Sequence, residues 1–212
     1  MGDSIIILKG GKNWYDDEYN TPMIYWRNIK HLIPKDKTIW EGFYGNGKSA
    51  EYIKKLGFDV LDNTGDFYRA ITKLGKDPNI CLLTNPPYTR FRKILEALVN
   101  TTIPFCLLIP ISKISMIENQ QYLKKMNIQI IIPNQYSGFV KDGKQLPNPP
   151  FYCVYLTRGF NLKKDILFLP NMSCITRGRP PKLAEGELQK DYCKDCKIKI
   201  DECECIEPNI IL

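Results

Sequence analysis

The chain reads as an α/β protein built on a mostly parallel sheet covered by helices on both faces, and three observations predict it. Short apolar runs rich in β-branched residues alternate with helical patterns along the first 160 residues. Runs such as Ile80-Cys81-Leu82-Leu83-Thr84 are apolar without alternation, as expected of strands buried on both faces. The connections are long enough for helical crossovers, and no internal repeat interrupts them.

Taken in order, Thr38 to Gly42 predicts a first strand and Lys48 to Leu56 a helix stopped by Gly57. Phe58 to Leu61 follows as a second strand, which makes a β-loop-α-β unit. Residues 80–84 predict the next strand, Phe91 to Val99 an amphipathic helix, and Pro104 to Ile109 another strand. Met116 to Met126 predicts a helix and Ile128 to Ile132 a strand. Pro133 to Pro150 is rich in Gly, Pro, Asn and Lys and predicts a long loop, ahead of a β-like run from Phe151 to Thr157. After Gly159 periodicity weakens and Lys, Asp, Glu, Cys and Pro accumulate. The expected organisation is a sheet domain over residues 1–160 and a small basic, Cys-rich extension over 161–212.

Composition narrows the class. Of 212 residues, 43% are hydrophobic and 25% charged, ordinary for a folded globular chain with a substantial core. No apolar stretch approaches the roughly 18 residues needed to cross a bilayer. The first eight residues have no basic flank or cleavage pattern, so neither a signal nor a transit peptide is expected, and the expected setting is intracellular, in a cytoplasm or host-cell compartment. A formal charge of +7 favours a polyanionic partner. Cys81, Cys106 and Cys153 lie in apolar runs and read as core thiols.

Two short segments carry chemistry. Asn85-Pro86-Pro87-Tyr88 follows a buried strand, at the carboxyl end where open α/β sheets bind ligands. The Asn85 oxygen and the Pro86 carbonyl can both accept hydrogen bonds, Pro86 and Pro87 stiffen the loop, and Tyr88 offers an aromatic face. Together they suit a planar group bearing an amine. Alone, Pro-Pro is equally a strand stop. Gly42-Phe43-Tyr44-Gly45-Asn46-Gly47-Lys48-Ser49 fits the phosphate-binding pattern G-x-x-x-x-G-K-S. A nucleotide hydrolase also needs an acid at a strand end for magnesium, yet the strands ending at Thr84, Ile109 and Ile132 lead into Asn85, Pro110 and Pro133. The same glycines serve a nucleoside cofactor, with Glu41 accepting from an ammonium group, Asp62 holding a ribose roughly 20 residues beyond the glycine loop, and Asp66-Phe67 at the nucleobase.

Asp17-Glu18-Tyr19-Asn20-Thr21-Pro22, then Glu41 through Gly47, then Asn85 to Tyr88 resemble, in that order, the S-adenosylmethionine-dependent adenine N6 methyltransferases, above all the small enzymes of phages and large DNA viruses. The resemblance spans about residues 14 to 160. It implies a doubly wound, seven-stranded methyltransferase sheet whose antiparallel strand, here Phe151 to Thr157, lies at an edge. It implies Thr21 and Pro22 against the cofactor's methionine part, with Glu41, Phe43, Tyr44, Gly45, Asn46 and Gly47 around the same region. Asp62 would take the ribose, Asp66 and Phe67 the adenine, and Asn85, Pro86, Pro87 and Tyr88 the target base, with Tyr88 stacked on it. Lys48 departs from the pattern, standing where a small polar residue is more usual.

The implied activity is methyl transfer to the adenine exocyclic amine in DNA, with adenine in RNA, or nucleic-acid binding without catalysis on the same fold, as alternatives. Arg90, Arg92 and Lys93 follow the site and suit phosphates, or a solvated helix face. Thr176 to Lys182 is similar to an AT-hook core. Arg177, Arg179 and Lys182 there suit a narrow minor groove, or form a basic linker. Cys193-x-x-Cys196 with Cys203-x-Cys205 has the pair spacing of a four-thiolate zinc site, although the gap between pairs is short.

Overall fold

The computed structural model of the chain describes residues 20–61, 65–133, 139–141, 144–145 and 151–169. Asp62, Arg177, Arg179, Lys182, Cys193, Cys196, Cys203 and Cys205 lie outside the described residues, as does most of the expected C-terminal extension.

Among the described residues six strands, rather than the seven expected, form one sheet: β1 (Thr38–Trp40), β2 (Ile80–Thr84), β3 (Phe105–Pro110), β4 (Ile128–Ile132), β7 (Cys153–Arg158) and β8 (Ile166–Phe168), in the order β1-β2-β3-β7-β4-β8. A separate two-stranded hairpin, β5 (Val140–Lys141) with β6 (Lys144–Gln145), lies within the segment expected to be loop. Strands β1, β2 and β3 are parallel, β7 runs antiparallel to both β3 and β4, and β8 is parallel to β4. The second strand expected at Phe58 to Leu61 reduces to a single parallel bridge, Ile39 to Val60, with Ile39 N–H donating to Asp59 O and Leu61 N–H to Ile39 O.

Two expectations are corrected. The antiparallel strand is not at an edge: β7 is held by ladders on both sides, and Cys153 through Leu156 are all fully buried. Its unbroken apolar run is the pattern of a strand covered on both faces. The sheet also continues past residue 160, because Ile166 to Phe168 pairs with β4.

Alternation along the strands divides the core into two layers. Cys81 and Leu83 of β2, Cys106 and Leu108 of β3, and Cys153 and Tyr155 of β7 face α1 (Met23–Ile29) and α2 (Lys48–Lys55), through Tyr25, Trp26, Ile29 and Ile53. Leu82, Phe105, Leu107, Val154 and Leu156 point the other way, toward α3 (Phe67–Leu74), α4 (Phe91–Leu98) and α6 (Ile117–Leu123), which follows the one-turn α5 (Ser112–Ser115). Helices on both faces are what the apolar strands require. In α4, Phe91, Ile94, Leu95 and Leu98 are buried at helical spacing while Arg92, Lys93 and Glu96 face solvent. Helices α1 and α3 were not expected from sequence. Pro22 opens α1, and Asp66 caps α3 by accepting the Arg69 N–H at 3.0 Å.

Arg158, at the end of β7, closes the opposite end of the sheet. Its guanidinium donates to Ile103 O at 2.7 Å, Leu98 O at 3.1 Å and Thr101 Oγ1 at 2.7 Å, and lies 4.8 Å from the Phe105 ring centroid. It thereby satisfies the Ile103 carbonyl and adds a further donor to Leu98 O, which already accepts the Thr101 N–H and hydroxyl. Arg158→Leu should destabilise the fold by about 2–3 kcal/mol in a denaturant titration, and Arg158→Lys should recover only part of it, because an ammonium cannot reproduce the planar fork.

Candidate active-site cleft

The chain leaves β1 toward Val60 on one side and returns to β2 on the other, so the strand order reverses between β1 and β2. A crevice opens outside the carboxyl ends of strands at such a reversal, and that is where ligands bind in open α/β sheets. Glu41 directly follows β1 and Asn85 directly follows β2. Both line one cleft of about 840 Å³, within the usual range for small-molecule sites.

Glu41 is a carboxyl almost wholly removed from water, 3% exposed. Its Oε1 accepts from the Thr84 hydroxyl, across the two strand ends, and from the Phe43 N–H at 3.2 Å. Its Oε2 is buried and has no hydrogen-bond partner. Burial pushes the carboxyl up to about 7, against Thr84, Ser49 and the Phe43 amide, which favour the charged form. Ser49 is itself held by the Trp26 indole N–H at 2.9 Å. An orphaned carboxylate oxygen in a cleft wall is a ready partner for a cation that brings its own donors, and a poor one for a phosphate.

The glycine loop bends beneath this carboxyl. Gly45 and Gly47 have φ of +52° and +79°, conformations that side-chain-bearing residues rarely adopt, and Gly47 caps α2. A Cβ on Gly47 would also meet the Tyr44 ring at 2.9 Å. Lys48 is exposed at the cleft rim; its charge acts on Glu51 rather than on Glu41.

Thr21, Phe43, Tyr44, Gly45, Asn46, Asp66, Phe67, Pro86, Pro87, Tyr88 and Arg90 line the same cleft, so every described cofactor- and base-binding candidate but Pro22 and Gly47 meets there. Phe67 is 3% exposed and stacks on Phe43 at 4.6 Å and on Trp40 at 5.3 Å, which leaves half-buried Phe43 as the member of that stack nearer the opening. The Asp66 Oδ1 is occupied by its own helix. Arg92 and Lys93 are exposed on α4 and do not line the cleft.

The Tyr88 ring differs from the expected open stacking face. It is 3% exposed, packs edge-on to Phe151 with centroids 5.2 Å apart, and donates its hydroxyl hydrogen to Asn85 Oδ1 at 2.6 Å. The Cys153 Sγ lies 3.9 Å from the same hydroxyl.

Sequence reading missed Thr84, whose hydrogen bond to Glu41 spans 43 positions, and Ser49 and Tyr68. The Tyr68 hydroxyl is buried and lacks a hydrogen-bond partner; burial raises it above the usual tyrosine value, against the nearby Arg90 charge. Cys81, Cys106 and Cys153 are buried free thiols, as expected. Among the described residues no cluster of metal-ligating side chains occurs, and no helix is long and apolar enough to cross a membrane.

No family model matches the chain, and no curated protein matches it. Among solved structures it is similar to the precorrin-6y C5,15-methyltransferase from Geobacter metallireducens GS-15, with a TM-score of 0.36 and 12% identity, over 68% of this chain and 93% of that one. A likeness that loose does not bear on the site, whose reading rests on its own residues.

Proposed function

We propose that the chain transfers a methyl group from S-adenosylmethionine to the exocyclic amine of adenine in DNA. The observation that carries this reading is the pairing, in one cleft, of a buried carboxylate oxygen without a partner and the amide oxygen of Asn85 on the neighbouring strand end. One suits a cationic donor and the other an amine. The order of the motifs along the chain and the charge of +7 support the same assignment.

The cofactor, when bound, supplies an electrophilic methyl group on a sulfonium sulfur. Glu41 would hold its cationic amino-acid part, the Gly45–Gly47 backbone would pass closely beneath, and the Phe43 face and Asp66 would border its nucleoside part. Asn85 Oδ1 and the Pro86 carbonyl would accept both hydrogens of the adenine amine, drawing its lone pair out of the ring. Positive charge would grow on that nitrogen as it takes the methyl group. The two oxygens meet this charge as preorganised dipoles, and the surplus proton passes to water. Pro86 and Pro87 hold the acceptors rigid, so alignment supplies much of the rate. A duplex substrate would have to swing the base out of the stack, at a cost of a few kcal/mol.

The test is incubation with methyl-labelled cofactor and a mixture of DNA and RNA, followed by mass spectrometry of the nucleosides. N6-methyladenine in DNA is the expected product, and label in no nucleic acid would rule the reading out.

A second measurement addresses the polymer. Arg92 and Lys93, which do not line the cleft, together changed to glutamine should weaken DNA binding with cofactor affinity unchanged. The plot of log affinity against log salt should flatten by roughly 0.9 for each phosphate that is no longer neutralised.

A further inference from the structure

We propose that Tyr88 serves the acceptor site through its hydroxyl rather than its ring: backed by the Cys153 thiol, it fixes which end of the Asn85 amide faces the cleft. The inference rests on the methyl-transfer reading for its purpose, and on geometry for its existence.

The two ends of an asparagine amide are nearly equal in size, and rotation about its last bond is soft. Only the oxygen end can accept from an amine. With the nitrogen end turned into the cleft, donor would meet donor and the acceptor site would be lost. The Tyr88 hydroxyl selects the productive end by donating to Asn85 Oδ1 at 2.6 Å. A carbonyl oxygen has two acceptor positions, so a second remains for the incoming amine.

A hydroxyl could reverse this choice by turning and accepting instead. Cys153 opposes that. Its Sγ lies 3.9 Å from the Tyr88 oxygen, and either atom could donate. With the Tyr88 proton committed to Asn85, the thiol hydrogen is the one available for this interaction, which runs from S–H to O–H to the amide oxygen. Burial pushes the thiol up to about 12, so it keeps its hydrogen at neutral pH. Cys153 is anchored in turn. It pairs with Pro110 in the ladder between β3 and β7, is fully buried, and sits in the strand held from both sides. The ring is held independently, edge-on to Phe151 and 3% exposed, which is the environment of a fixed support.

Tyr88→Phe keeps the ring and removes only the hydroxyl, so it separates the two roles. The expected result is a fall in kcat of roughly ten- to a hundredfold, the loss of one buried hydrogen bond to the reacting group, with KM for DNA and for cofactor within about twofold of wild type. Cys153→Ala should give a smaller fall, and Cys153→Ser should not restore the rate, because the shorter Cβ–O bond leaves a serine hydroxyl beyond hydrogen-bond reach of the Tyr88 oxygen. Two spectroscopic signatures do not depend on turnover. The infrared S–H stretch of Cys153, assigned by subtraction of the Cys153→Ala spectrum, should move toward that of an unbonded thiol in Tyr88→Phe. The side-chain amide resonances of Asn85 should shift in the same variant. Wild-type kcat in Tyr88→Phe, or an S–H band and Asn85 resonances that ignore it, would overturn the proposal. If the wild-type protein methylates no nucleic acid while both signatures respond to Tyr88→Phe, the methyl-transfer reading falls and the orienting hydrogen bond stands.

Discussion

Asn85→Ala should lower methyl transfer by about a hundred- to a thousandfold while leaving cofactor affinity within about twofold of wild type. That is the size of effect found when one preorganised partner of a developing charge is removed from a water-poor site. The split between rate and affinity follows from position. Asn85 stands at the end of β2, whereas the proposed cofactor contacts run from Glu41 to Gly47 at the end of β1. Asn85→Asp keeps an acceptor oxygen beside the Tyr88 hydroxyl and should retain more activity than the alanine variant. Single-turnover methylation together with calorimetric cofactor titration measures both quantities, and an equal loss in the two would move Asn85 into the cofactor site.

Glu41→Gln should have opposite effects on binding and on stability. Removing the carboxylate should weaken S-adenosylmethionine roughly ten- to a hundredfold, the value of a charge-assisted hydrogen bond. In the folded chain the carboxyl is raised from 4.5 to about 7 by burial. Between those values the folded protein keeps a proton that the unfolded chain has lost, so stability falls as pH rises through this window. The cost is complete above pH 7, at about 3 kcal/mol, and absent below pH 4.5. Glutamine carries no such cost. The variant should therefore gain stability relative to wild type as pH rises from about 5 to about 8, read from urea midpoints at fixed salt. Wild-type cofactor affinity should rise over roughly pH 6 to 8, because a cation selects the ionised carboxyl, and binding below about pH 7 should release a proton detectable by titration in buffers of different ionisation enthalpy.

The sequence made the site partly legible because its chemistry is condensed into consecutive residues at two strand ends, where a few identities suffice to suggest acceptors, a tight turn and a cation partner. Interactions across the fold were hidden. Thr84 meets Glu41 over 43 positions and Cys153 meets Tyr88 over 65, and neither residue type advertises such a role. Tyr88 looked like an open face because nothing local shows that Phe151 and Cys153 will enclose it. Helix α3 is hard to see in the sequence because Asp66 suits a ligand contact as well as the helix cap it forms. The unbroken run from Cys153 to Leu156 was a readable sign of an interior strand, and the expectation of an edge outweighed it.

That late interior strand constrains how the chain acquires its shape. The neighbours of β7 come from residues 105–110 and 128–132, and both emerge from the ribosome before it. Until residue 158 has been made, β3 and β4 have unfilled edges facing each other, the kind of surface on which chains associate wrongly. The sheet closes by insertion rather than by growth at a rim, which gives slow, non-local folding and makes completion of the acceptor wall at Cys153 one of its last events.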